Sequence, residues 1–129
     1  MTTHRIPTLA DVARMTAEGH PFDLCLADFL DGFYASPSSE ALAECPPLLA
    51  SPEFAQGSVC DAYLAATAEE LARACHLPCP HWTPTLDRAL RRPYFASPLG
   101  SLRAVLLLES PPAFRARNLF VSENALSRV

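Results

Sequence analysis

Apolar residues recur along this chain at helical spacing, and prolines interrupt them. Leu9, Val12, Ala13 and Thr16 stand at i, i+3, i+4 and i+7, one face of a helix. Thr8 precedes them and can cap the helix through its hydroxyl, and Gly19 supplies a left-handed stop. Pro21 suits the first turn of a second helix. In that helix Phe22, Leu26, Phe29, Leu30 and Phe33 share one face and Asp23, Asp28 and Asp31 the other.

Further on the pattern shortens. "SPSSEALAECPP" predicts one or two turns from about Ser39, stopped before Pro46. Leu48 and Leu49 of the following connection are expected in the core. An alanine-rich helix is predicted over 58–75, burying Val59, Ala62, Tyr63, Ala66, Leu71 and Ala74. "HLPCPHWTPT" cannot be helical, because its prolines lack donors and bias the residues before them. A short piece at 86–91 leads to a loop whose Tyr94 and Phe95 are expected to plug the core. Leucine and alanine dominate 99–109, which predicts a helix rather than a strand. Pro111 starts one more turn, 119–121 runs extended, and Ser122 caps a final turn. The pattern predicts an all-α, or mainly α, bundle of five or six short helices with proline-rich connections.

Composition narrows the class. A chain of 129 residues makes a single helical domain, 1–129, and half of its residues are hydrophobic, enough for a packed core. No apolar run approaches the roughly 20 residues of a membrane span, and "MTTHRIPTLADV" has no apolar leader region. These features point to the cytoplasm and to no membrane partner. Five cysteines form an odd set, read as small hydrophobes in a reducing compartment.

Charge divides the chain. Residues 1–70 carry eleven carboxylates and two arginines, a balance of −9, whereas residues 71–129 carry three carboxylates and eight arginines, a balance of +5. There is no lysine. Either the halves neutralise one another, or the arginine-rich half faces an acidic partner. Two such asymmetric chains could also pair antiparallel, and a homodimer is expected on that ground.

Candidate chemistry is sparse. "CHLPCPHW" offers Cys75, Cys79 and His81 as weak zinc candidates, but the second ligand pair that a structural site needs is missing. No metal or other cofactor is expected. With four glycines there is no phosphate-cradling loop, and no cysteine sits in an activating motif. The second helix carries three aspartates and no base-reading side chain, which excludes DNA reading by that segment. Arg91, Arg92, Arg115, Arg117 and Asn118 remain as candidate partner-binding residues, since arginine forks suit carboxylates and phosphates.

The strings "LPCPHWTP" (77–84), "RRPYFASP" (91–98) and "LRAVLLLESPPAFRARNLFVSENALSRV" (102–129) resemble a family of uncharacterised bacterial proteins. The resemblance covers a little under half of the chain. Members of that family often occur with helix-turn-helix regulators, in settings that look like toxin–antitoxin modules. The resemblance implies a regulatory or antitoxin-like role with a toxin or regulator as partner. The expectation is therefore a non-enzymatic protein–protein interaction or regulatory protein. The alternatives are an RNA- or nucleotide-binding module using the C-terminal arginines, and an unrecognised enzyme.

Overall fold

A computed structural model describes residues 7–96 and 103–127. The chain is mainly α. Helices α1 (Leu9–Ala17), α2 (Phe22–Ala35), α3 (Glu40–Ala43) and α4 (Gly57–Ala74) come first, then a 3-10 turn at Leu86–Arg88. Strand β1 (Tyr94–Phe95), α5 (Arg103–Glu109), α6 (Pro112–Arg115) and β2 (Leu119–Phe120) follow.

The first helix starts as its sequence predicts. Thr8 Oγ1 accepts from the Asp11 N–H at 3.1 Å while Asp11 Oδ2 accepts from the Thr8 N–H at 2.9 Å, a reciprocal capping box. Gly19 follows with φ +108°, a conformation that frees the chain to reverse into α2. Leu26, Phe29, Leu30 and Phe33 of α2 are buried against Leu9, Val12 and Ala13 of α1, with Phe29 and Phe33 stacked at 5.7 Å.

Helix α4 is the central element. One side, with Leu64, Ala65, Ala68, Leu71 and Ala72, closes the first hydrophobic cluster with α1, α2, Leu42, Leu49 and Trp82. The opposite side, Ala62 and Ala66, packs on Ala113, Phe114, Leu119 and Val121 in a second cluster. A helix buried on both sides needs small residues for close approach, and alanine provides them. Of the residues expected in its buried stripe, Ala62, Ala66 and Leu71 are buried, Val59 and Tyr63 partly so, and Ala74 is exposed on the last turn.

The helix ends at "CHLPCPHW", the stretch that holds the weak zinc candidates. His76 adopts φ +57°, its N–H donates to Arg73 O, and the Leu77 N–H donates to Ala72 O at 2.8 Å. That is a Schellman stop, with histidine in the left-handed position that glycine usually takes.

Two expectations about the core are corrected. Tyr94 and Phe95 do not plug the core: Tyr94 is exposed and Phe95 half-buried, because they form a strand. β1 pairs in parallel with β2, Tyr94 opposite Leu119 and Phe95 opposite Phe120. The Tyr94 N–H donates to Asn118 O at 2.8 Å and the Ala96 N–H to Phe120 O at 2.9 Å. A parallel pair requires a crossover, which here runs through α5 and α6. The other correction concerns Leu48, which is half-exposed while Leu49 alone enters the core. Of the predicted 99–109 helix, residues 99–102 lie outside the described residues. Among the described residues no helix is long and apolar enough to cross a membrane.

Candidate binding groove

The loop of residues 48–56 is held onto α4 by two neighbouring devices. Asp61, fully buried, accepts the Leu49 N–H at 2.7 Å and the Ala50 N–H at 3.0 Å. One turn earlier Gly57 lets the loop backbone touch the helix: a Cβ at this position would stand 2.3 Å from Leu49 O. Burial pushes the Asp61 carboxyl above its ordinary range, although the two N–H groups and Arg88 pull the other way.

Arg88 approaches Asp61 from the 3-10 turn. Its guanidinium lies 3.8 Å from Asp61 Oδ1 and 5.0 Å from the centre of the Trp82 ring, and it donates to Pro46 O. The Trp82 N–H donates in turn to Leu42 O at 3.0 Å. Residues 45–50 are thus fixed from both sides by polar groups inside the protein.

The clamped loop forms one wall of a groove of about 1190 Å³. The α1–α2 turn supplies a second wall with His20, Phe22 and Asp23, and β1, β2 and the following turn supply a third. Val59, Cys60 and Tyr63 of α4 line it between these walls. The Phe22 ring meets Tyr63 edge-on at 5.8 Å, and Tyr63 meets Phe114 edge-on at 4.9 Å, so the aromatic lining is fixed by the second cluster. Burial, then the charges of Asp61 and Asp23, push the Cys60 thiol up to about 12. A thiol so protonated is no nucleophile at neutral pH. Burial and the Asp23 charge likewise push the Tyr63 hydroxyl up to about 12.

The arginines singled out from the sequence separate into two groups. Arg91, Arg92 and Arg115 are exposed. Arg117 is buried, against its expectation as a partner-binding residue. Its guanidinium donates to Ala113 O at 2.9 Å, to Thr83 O at 2.8 Å and to the Glu69 carboxylate. Glu69 feels burial, which raises its pKa, but the Arg117 bond and charge, with help from Thr83 and Arg73, hold it below the ordinary range. Asn118 is also structural: with φ +62° it turns the chain into β2, and its amide donates to Leu90 O at 2.8 Å. Arg117 and Asn118 therefore join the chain to itself rather than offering a surface.

Of the weak zinc candidates, Cys75 is half-buried, and Cys79 and His81 are exposed. The Cys79 thiol hydrogen-bonds with the Thr83 hydroxyl at 3.5 Å. Among the described residues no three His, Cys, Asp or Glu side chains gather as metal ligands would.

Sequence reasoning missed the groove. Its walls come from segments spread over about a hundred residues, and only their tertiary meeting creates it. The signal nearest to it was Asp61, a carboxylate on an otherwise apolar stretch of α4. Compared with protein-family models, with curated proteins and with solved structures, the chain has no match.

Proposed function

We propose that this chain is a non-enzymatic protein-interaction module, and that the groove is where a segment of its partner lies. The groove carries this reading. At about 1190 Å³ it exceeds the roughly 300–1,000 Å³ of a small-molecule pocket, it is open to solvent rather than enclosed, and its lining is mostly apolar. Its one thiol is held protonated, which favours binding over nucleophilic chemistry. The buried state of Arg88 and Arg117 weakens the RNA-binding alternative, because two of the arginines that a phosphate-binding patch would use are engaged inside the fold. A regulatory or antitoxin-like role, with a toxin or regulator as partner, is the reading that the family resemblance adds.

Leu48 tests this directly, since it lines the groove yet is half-exposed, so changing it spares the core. Leu48→Ser should melt like the parent and lose a partner that the parent retains in a pull-down from the native host. A Leu48→Ser protein that captures the same partner equally well, together with a second groove variant, Val59→Ser, that does the same, defeats the assignment.

A further inference from the structure

The charge around the groove identifies the partner more closely. Among its described lining residues there are two carboxylates, Asp23 and Glu53, and no arginine, in a chain that has ten. Both carboxylates are exposed, and among the described residues no cation pairs with either. Among the described residues, the arginines with ion pairs are turned elsewhere: Arg14 to Asp11 and Glu44, Arg73 to Glu70, Arg88 to Asp61 and Arg117 to Glu69. The Asp23 charge is felt along the lining, since it contributes to raising both Cys60 and Tyr63.

Aromatic rings accompany those carboxylates. Phe22 and Tyr63 stand on one side, Phe54 on the clamped loop and Tyr94 on β1. Carboxylates beside aromatic faces are the surroundings that a Lys or Arg side chain favours, by ion pairing and by cation–π attraction. The same rings with Val59, Leu119 and Val121 accept an apolar helix face.

Resting on the reading of the groove as a protein-binding site, we infer that its occupant is an amphipathic, basic segment of a partner protein. Its apolar face lies on Phe22, Val59, Tyr63 and Leu119, and its cations lie against Asp23 and Glu53. The carboxylates set selectivity more than strength, because exposed ion pairs contribute modestly and act chiefly against wrongly charged partners.

The test uses the full chain and three designed helical peptides that share one apolar face and differ in their polar edge, which is lysine and arginine, glutamine, or glutamate. Fluorescence anisotropy at low and physiological salt reads their affinities. The basic peptide should bind about tenfold tighter than the glutamine peptide, lose that advantage as salt rises, and the glutamate peptide should bind weakest. The double variant Asp23→Asn with Glu53→Gln changes only exposed groups, so it should melt like the parent. It should bring the basic peptide to the glutamine peptide's affinity and leave the latter unchanged. Equal binding of all three peptides, or a double variant with undiminished preference, overturns the inference and leaves the groove as a protein-binding site. Failure of every peptide to bind removes the groove reading as well. A dimer by light scattering that Leu48→Ser converts to the 14.0 kDa monomer assigns the groove to a second copy instead, and also overturns the inference.

Discussion

The guanidinium of Arg88 stands 3.8 Å from the carboxylate of Asp61, and neither side chain is more than 2% exposed. Each charge has other work: Asp61 holds two loop N–H groups, and Arg88 holds a carbonyl and lies over Trp82. Removing one partner leaves the other charged in a dry site, which typically costs about 3–5 kcal/mol. Asp61→Ala should therefore lose about that much in urea unfolding followed by Trp82 fluorescence. Asp61→Ala combined with Arg88→Met should lose less than the two single changes added together. Strictly additive losses would show that the two charges do not sense one another.

Gly57→Ala sets two effects in opposition. Alanine is the better helix former by up to about 1 kcal/mol. Its Cβ, however, would meet Leu49 O at 2.3 Å and Ala50 Cα at 2.6 Å, both backbone atoms that cannot rotate away. Overpacking of this kind costs about 1–3 kcal/mol, so the variant should be less stable than the parent by thermal melting. A raised melting temperature would mean that the loop yields freely.

Arg115 and Arg117 should behave differently although they are two residues apart. Arg115→Ala changes an exposed group and should leave the melting temperature nearly unchanged. Arg117→Ala strands two carbonyls and the Glu69 carboxylate, and should cost about 3 kcal/mol. Phe114→Ala empties a fully buried site against Tyr63 and should cost about 3–5 kcal/mol. Calorimetry of the three variants checks the order.

Acid should loosen the Glu69–Arg117 bond. The folded pKa of Glu69 is lowered, so its contribution is present above the unfolded value and is lost as the pH falls through the folded one. Asp61 has the opposite sign: its pKa is raised, so its contribution is full below the ordinary aspartate range and declines as the pH rises through the folded value. Stability profiles across the carboxylate range should show Glu69→Gln removing a loss towards acid, and Asp61→Asn removing a loss towards neutrality. Parallel profiles for parent and variants would contradict both assignments.

His76→Gly should stabilise the protein modestly. Left-handed backbone costs a non-glycine residue about 1 kcal/mol, and the exposed His76 side chain has little packing to lose. A rise of a few degrees in melting temperature is expected, and a fall would show that the imidazole supports the helix end.

What the sequence discloses depends on how local the cause is. The capping box of Thr8 and Asp11 and the apolar face of α2 lie within single helices, so spacing alone reveals them. Charge balance showed that the two halves could neutralise one another, and the Arg88–Asp61 and Arg117–Glu69 pairs do so across 27 and 48 residues of chain. Nothing local marks which arginine turns inward. Leu48 and Leu49 are equally apolar, and it is the tertiary hold on the loop, by Asp61 and by the close approach at Gly57, that accompanies the burial of Leu49. The two-residue strands have no pattern of their own. They exist because Asn118 and Phe120 present carbonyls to a distant segment, which also explains why Tyr94 stays at the surface.

The parallel pairing of β1 with β2 also orders the protein in time. The first hydrophobic cluster is built almost wholly from residues 9–82, and Arg88, which pairs with Asp61 inside it, follows six residues later, so the residues that pack α1 to α4 have all been made once Arg88 has emerged. The second cluster and the third wall of the groove need Leu119 and Val121, which arrive only after the crossover has been made. In a ribosome-bound chain halted between these points the opposite side of α4 would still be bare, with Ala62 and Ala66 lacking their cover. The third wall of the groove is thus completed only after the residues of α1 to α4 have been made.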